Sequence, residues 1–288
     1  MLTRAKKRHK VTSCKPSLLA SECCISQLTS KFLSCSDVAR LACVCGELLK
    51  ALRYSPIDVS HVDLTLQQVI DYFGSRTSQW RLVGASIVDH EPNQPRPPMP
   101  EGVVLRHLRL RLQSGPLPVN LDLNKLKTLD LEGQEWVLEV SGLRGCSNLH
   151  TLNLGGCRQL TDISALGSCS NLHTLNLTGN RQLGDISALG SYSNLHMLYL
   201  FGCAQLTDIS TLGSCSNLHT LDLTVCSQLT DIPALGSCSN LHTLNLIGCS
   251  QLTDISALGS CSNLHTLSLY GCDQLRDFSA LGTCRIIR

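Results

Sequence analysis

The chain has 288 residues, of which 43% are hydrophobic, and this content suffices for a continuous core and excludes an intrinsically disordered chain. Aromatic residues make up only 4%, which favours stacked aliphatic layers over a core built around a few large rings. The formal net charge of +2 is unevenly distributed: residues 1–53 hold ten Lys/Arg against three Asp/Glu, and residues 126–288 hold seven against twelve. Because the C-terminal part is acidic, we expect no nucleic-acid binding.

Residues 1–15 predict a basic, disordered tail. The opening MLTRAKKRHK is not followed by an apolar run of about 7–15 residues, as a signal peptide requires, and no segment reaches the ~20 apolar residues that span a bilayer. We therefore expect no membrane association, a cytoplasmic or nuclear location, and seventeen cysteines present as reduced thiols. Residues 4–10 are compatible with a nuclear localisation signal, but a solvated chain start is the favoured interpretation.

Residues 16–54 predict a small all-helical module with two apolar faces. One face carries Leu28, Phe32 and Leu33, and the other carries Val38, Leu41, Cys45, Leu48 and Leu52. A helix that only caps a neighbouring domain needs one such face. The second face indicates a binding partner.

This module resembles the F-box. The resemblance is carried by Glu22, Phe32-Leu33, Asp37-Val38, Arg40-Leu41 and Val44-Cys45. It implies binding to a Skp-type adaptor of a cullin ubiquitin ligase, with the rest of the chain selecting the protein to be ubiquitinated. The implied adaptor-binding residues are Leu28, Phe32, Leu33, Val38, Leu41 and Val44. The sequence departs from the F-box pattern where no Leu-Pro precedes Glu22 and no Trp follows Val44. The alternative is a helical cap on the repeats that follow.

Residues 55–125 predict irregular repeats and a surface loop. LRHLRL, beginning at Leu105, has the form of a degenerate repeat. IDVS at Ile57, then LTLQQVIDYF and WRLVG, predict a strand, a helix and a strand. The Pro-rich residues 91–100 predict a loop between them. These elements would cap the first end of the repeat core, because an uncapped stack exposes its apolar layer.

Residues 126–288 contain seven repeats with a period of 23 residues. The repeats begin at Leu126, Leu149, Leu172, Leu195, Leu218, Leu241 and Leu264. One unit reads LHTLNLIGCSQLTDISALGSCSN, from Leu241 to Asn263, and its residues are numbered here as positions 1 to 23. Leucines at positions 1, 4 and 6 and the alternation at positions 3 to 7 predict a short strand with one face buried.

The unit L-x-x-L-x-L-x-x-C/N-x-L resembles the leucine-rich repeat. The resemblance implies an α/β solenoid with parallel strands on the concave face and short turns or 3-10 helices on the convex face. The return path from Thr253 to Cys261 is only nine residues long, which allows a short 3-10 helix but hardly an α-helix. The T-D-I-S segment at position 14 predicts an Asp that caps this turn.

Cysteines recur at position 9 of the last six repeats and at position 21 of all seven, with Asn180 and Tyr192 as the exceptions. Small residues there predict a buried column that satisfies backbone groups of adjacent turns. Because the cysteines alternate at 12 and 11 residues and not in C-x-x-C pairs, we expect no metal site.

The concave face predicts three columns of side chains. Position 2 is histidine in six repeats, whereas positions 5 and 7 vary most. Variation against constant leucines is typical of a binding surface and also of neutral drift on a solvated face. The candidate partner-binding residues are Tyr199, Phe201, Asp222, Ile247, Tyr270, His196, His219 and His242. The histidine column could sense pH or bind metal, but duplication of one repeat also explains it.

No unique constellation of catalytic residues occurs. GxSxG, GxxxxGK[ST] and HExxH are absent, and His and Asp recur as columns. We therefore expect a binding protein that needs no cofactor. Two functions fit: the substrate receptor of a ubiquitin ligase, and a plain interaction scaffold whose N-terminal helices cap the solenoid. Both take an unknown protein on the concave face.

Overall fold

A computed structural model describes residues 56–64, 81–89, 106–112, 123–281 and 285–287. Within these ranges one sheet of eleven parallel strands runs in strict chain order. The strands are β1 (Pro56–Leu64), β2 (Arg81–Asp89), β3 (His107–Leu112), β4 (Thr128–Asp130), β5 (Thr151–Asn153), β6 (Thr174–Asn176), β7 (Met197–Tyr199), β8 (Thr220–Asp222), β9 (Thr243–Asn245), β10 (Thr266–Ser268) and β11 (Arg285–Ile287). No helix within these ranges is long and apolar enough to cross a membrane.

Each repeat returns to the next strand through a 3-10 helix. The helices are Leu123–Lys125, Ser141–Leu143, Ser164–Ser168, Ser187–Ser191, Ser210–Ser214, Pro233–Ser237, Ser256–Ser260 and Ser279–Leu281. They pack against one another as the strands do. The predicted solenoid, with parallel strands on one side and 3-10 helices on the other, is therefore confirmed.

The core consists of leucine layers between the strands and the 3-10 helices. In the middle repeats the leucines at positions 1, 4, 6, 12 and 18 are fully buried, as at Leu218, Leu221 and Leu223. The strand residues on either side of the buried position 4 are only partly buried, so the strand alternation predicted from the sequence is present. At about 25 cal/mol per Å² of apolar area removed from water, these layers are the main stabilising term.

The two buried columns at positions 9 and 21 bond to the turns of the preceding repeat. Cys203 Sγ donates to the Leu177 carbonyl at 3.4 Å, and Cys238 Sγ donates to the Leu212 carbonyl at 3.3 Å. The two exceptions bond in the same register, because Asn180 Nδ2 reaches the Leu154 carbonyl at 3.0 Å and the Tyr192 hydroxyl donates to the Leu166 carbonyl. Burial raises the pKa of Cys203 to about 12, so the thiols stay protonated donors.

The aspartate at position 14 bonds to the first residue of the 3-10 helix from one place before the N-cap residue, which is the isoleucine at position 15. Asp254 Oδ1 accepts a hydrogen bond from the backbone N–H of Ser256 at 2.7 Å, and Asp162, Asp185 and Asp208 do the same in their repeats. This bond lowers the pKa of Asp254. In repeat 5 the acceptor Asp231 faces Pro233, which has no N–H to donate.

Strands continue the sheet at both ends of the seven repeats. Part of the predicted degenerate repeat forms β3, which pairs with β4, and IDVS falls in β1 and the RLVG of WRLVG in β2. At the other end β11 pairs with β10, so Arg285 is opposite Thr266 only 19 residues later. The predicted helix LTLQQVIDYF, the Pro-rich loop and the module at 16–54 lie outside the described residues.

Candidate functional site

The sheet face, formed by positions 3, 5 and 7 of each repeat, presents the variable side chains predicted to bind a partner. Phe201 and Tyr270 are 43% and 70% exposed, whereas Tyr199, Asp222 and Ile247 are half-buried. Tyr199 lies beside Met197, whose sulfur is 3.6 Å from the tyrosine hydroxyl. The structure thus places all five predicted residues on one surface of repeats 4 to 7.

Position 5 also has a structural role that the sequence analysis missed. Asp222 Oδ1 accepts hydrogen bonds from the backbone N–H of Thr224 at 2.9 Å and from the Thr224 hydroxyl at 2.6 Å. Asn153, Asn176 and Asn245 make the same backbone bond to position 7. This bond ends each strand and fixes the carboxylate of Asp222. The signal in the sequence was the recurrence of Asn or Asp at position 5.

The side chains of Phe201, Val225, Ile247 and Tyr270 form an apolar edge where four consecutive strands end. Three of them, Phe201, Val225 and Tyr270, are among the four exposed large hydrophobic residues of 106–110 and 123–281. Val225 was not predicted as a site residue. Its signal is the loss of glycine at position 8, where the other six repeats carry glycine with a positive φ.

Val225 adopts a φ of 59° in the left-handed region, and it is the single non-glycine residue with positive φ in the described ranges. A β-branched side chain is strained in this conformation, which costs on the order of 1–3 kcal/mol. Since the side chain is 43% exposed, little packing offsets that cost.

The six histidines at position 2 form a ladder of stacked rings at the other end of the strands. Neighbouring ring centroids lie 4.3–4.8 Å apart. The rings of the last two pairs are nearly parallel, with interplanar angles of 7° and 8°. His150 and His265 are exposed, and the four between them, including the predicted His196, His219 and His242, are half-buried. Desolvation, followed by repulsion from the flanking imidazoles, lowers the pKa of His173 and of His219.

An open groove of about 690 Å³ runs along the first half of this ladder. Its lining residues are His107, Lys127, Thr128, Asn148, His150, Asn171, His173, Asn194, His196 and Asn217. The asparagines are the position-23 residues. Each donates from Nδ2 to a backbone carbonyl of the preceding repeat, as Asn217 does to Ser193 at 2.7 Å. This asparagine column was not predicted from the sequence.

A metal ion has no ready site on this surface. No group of three or more His, Cys, Asp or Glu side chains in the described part of the chain is arranged to hold one. The ten described cysteines are buried free thiols, and burial raises the pKa of Cys157 to about 11, so they are poor ligands. The adaptor-binding residues predicted at 28–44 lie outside the described ranges.

Comparison with known proteins supports the repeat assignment. Residues 147–191, 193–237 and 239–283 match the family described as Leucine Rich repeats (2 copies). No curated protein sequence matches the chain.

Solved structures share the fold at low sequence identity. The leucine-rich repeat domain of the type III effector XopL is 17% identical over 97% of both chains, with a TM-score of 0.56. Internalin InlF from Listeria monocytogenes is 20% identical over 91% of this chain and 76% of its own, with a TM-score of 0.52. The functional domain of InlJ from Listeria monocytogenes, which includes a cysteine ladder, is 16% identical over 81% of this chain and 47% of its own, with a TM-score of 0.57. Residues 147–283 of the chain are leucine-rich repeats, stacked into a solenoid with a single parallel sheet.

Proposed function

We propose that this protein is a binding scaffold that takes a protein partner on its sheet face, anchored at the apolar edge. The observation that carries the proposal is the position of Phe201, Val225 and Tyr270 along one end of the sheet, since they are three of the four exposed large apolar side chains among residues 106–110 and 123–281. Scattered exposed apolar residues are ordinary, whereas a contiguous set mixed with aromatic rings is typical of an interface.

The backbone of Val225 gives this proposal independent support. Glycine at position 8 relaxes the turn in the other repeats, yet repeat 5 keeps a strained and exposed valine. Backbone strain that is not offset by side-chain packing in the free protein is typical of a functional position. A partner that covers Val225 would bury the 43% of it that is exposed, worth ~1 kcal/mol.

Site-specific photo-crosslinking tests the proposal. A benzoylphenylalanine placed at Tyr270 should capture a defined protein, whereas the same probe at Ser256, on the 3-10 side, should not. Capture at Tyr270 should be lost when Phe201→Ser is added, with the melting temperature unchanged. Equal capture from Ser256 would contradict binding at the apolar edge.

A more specific function, the substrate receptor of a cullin ubiquitin ligase, rests on the F-box resemblance of residues 16–54. What supports it is that the module has two apolar faces, with Phe32 on one and Val38 on the other as implied adaptor contacts. Co-purification of the full chain with a Skp-type adaptor tests it. Charged substitutions at Phe32 and Val38 should abolish capture and leave the repeats folded. Failure of the unmodified chain to bind the adaptor at micromolar concentration would leave the plain scaffold.

A further inference from the structure

Position 2 carries a basic side chain (arginine, lysine or histidine) in each described repeat that lines the groove. The histidine ladder continues backwards through Lys127 to Arg106, because Lys127 N–H donates to the Arg106 carbonyl at 2.7 Å and His150 N–H donates to the Lys127 carbonyl at 2.8 Å. The column therefore begins with two permanent cations and continues with six imidazoles. Duplication of one repeat accounts for the imidazoles but not for Arg106 and Lys127.

The groove along this column has a lining without carboxylates. Lys127 and four histidines supply its titratable groups, and the rest are asparagines and one threonine. Two carboxylates lie in the position-5 column of the same sheet. Asp130 is paired with Arg109 at 2.6 Å, and Asp222 is held by Thr224.

Two further cations flank the lining in the described part of the chain. The 3-10 helix that precedes repeat 1 contributes Lys125, and Arg106 occupies position 2 of the preceding repeat. Lys127 and the imidazoles of the lining complete the set. The groove thus has a local positive potential on a repeat domain that is acidic as a whole.

The hydrogen bonds of the rings couple protons to anion binding. His150 Nδ1 and His196 Nδ1 contact the carbonyls of Asn171 and Asn217 at 3.4 and 3.2 Å. A carbonyl only accepts, so Nδ1 carries the hydrogen and Nε2 of the neutral ring is an acceptor. A carboxylate at Nε2 needs a donor there. The imidazolium form of the ring, which carries hydrogen on both nitrogens, supplies that donor.

We propose that the imidazole–asparagine groove binds an extended acidic peptide segment of a protein partner and takes up protons as it does so. The inference rests on the proposal that the sheet face binds protein, but it concerns the opposite end of the strands from the apolar edge. The groove spans four repeat steps of ~4.8 Å, which matches about six residues of extended peptide at ~3.3 Å each. Lys127 and the imidazoles pair with the carboxylates.

A peptide fits this groove better than a nucleic acid does. Each phosphate contact requires a cation, and above neutral pH the lining offers only Lys127. The asparagine side chains, tied down through Nδ2, present their oxygen atoms as acceptors, which suit peptide N–H groups.

Fluorescence anisotropy with a fluorescein-labelled octaglutamate peptide, added to the full chain at about 150 mM salt, tests the proposal. We expect at least tenfold tighter binding at pH 5.5 than at pH 7.5. The triple variant His150→Gln, His173→Gln, His196→Gln should lose this pH dependence, and Lys127→Gln should weaken binding at both pH values. The matched control Arg144→Gln, Arg158→Gln, Arg181→Gln removes three exposed charges from the same repeats outside the groove and should bind as the unmodified chain does.

Three results would overturn the proposal. One is equal weakening by the arginine and histidine triples, which would indicate non-specific attraction. Another is binding of a ten-nucleotide oligouridylate as tightly as the peptide, and the third is no binding by the unmodified chain at pH 5.5. Melting curves of each variant show that it is folded. Peptide binding by Phe201→Ser must be intact, so a failure at the groove and a failure at the apolar edge are separate outcomes.

Discussion

Val225 and Gly248 occupy position 8 of consecutive repeats, and both have a positive φ, of 59° and 73° respectively. A methyl group added to Gly248 would meet Cγ2 of Val225 at 3.4 Å. The two backbones therefore make the same left-handed turn, relaxed at Gly248 and strained at Val225.

Val225→Gly should stabilise the protein. Release of left-handed strain gains ~1–2 kcal/mol, and the larger entropy of glycine in the unfolded chain takes back ~0.5–1 kcal/mol, leaving a net gain of about 0.5–1 kcal/mol. Urea unfolding measures this as a higher midpoint with an unchanged slope. The reverse change, Gly202→Val, should lower the midpoint. A lower midpoint for Val225→Gly would mean that the valine packs better than its exposure indicates.

Leu244→Asp and His242→Ala, two residues apart, should differ sharply in stability. Leu244 is fully buried in the continuous core, so an aspartate there should cost about 4 kcal/mol. His242 lies on the surface ladder, so its loss should change the free energy of unfolding by less than about 1 kcal/mol. Thermal melts that ranked the two variants the other way would place the repeats in the wrong register.

Much of the fold could be predicted because the same pattern of buried leucines recurs in all seven repeats. Leucines at positions 1, 4 and 6 must face a common core, so the strand and its buried face follow directly from the period. The short span from Thr253 to Cys261 likewise limited the return path to a 3-10 helix. Single departures from the period carry no such redundancy, as at β11, where the strand starts 19 residues after β10.

The candidate site was only partly predictable from the sequence. Sequence variation marked Phe201 and Tyr270, but it could not separate the exposed side chains from Asp222, whose carboxylate is held by Thr224. Val225 was missed because a valine in a leucine-rich unit looks ordinary until its φ is known. The groove depends on which side chains line it together, and that follows from the stacking geometry.

Acid should destabilise the solenoid through its histidine ladder. The pKa of His173 and of His219 is lowered in the folded state by desolvation and by neighbouring imidazoles. The folded protein then binds fewer protons than the unfolded chain, so stability rises with pH in this window. The free energy of unfolding should be highest above the unfolded histidine pKa of ~6.5 and should fall as the pH drops below that value. Changing all six position-2 histidines to Gln should flatten the pH dependence of unfolding, and an unaltered profile would show that the rings do not couple.

The aspartate cap should matter only where a backbone N–H faces it. Asp254→Ala removes the acceptor for Ser256 N–H and should lower stability. Asp231→Ala should lower it less, since Pro233 in that repeat has no N–H. Parallel urea titrations of the two variants provide the comparison. If both variants lost the same free energy of unfolding, the stabilising effect of these aspartates would come from their charge and not from the hydrogen bond to the backbone N–H.

The affinity of the partner captured at Tyr270, measured by calorimetry with variants of the apolar edge, tests the proposed binding surface most directly. The double variant Phe201→Ser, Tyr270→Ser should bind at least thirtyfold more weakly, since exposed aromatic anchors of an interface contribute ~2 kcal/mol or more each. The control double variant Ser237→Ala, Ser260→Ala, on the 3-10 side, should bind as the unmodified chain does. Unchanged affinity in the apolar-edge variant, with its melting temperature also unchanged, would contradict a partner site on this face.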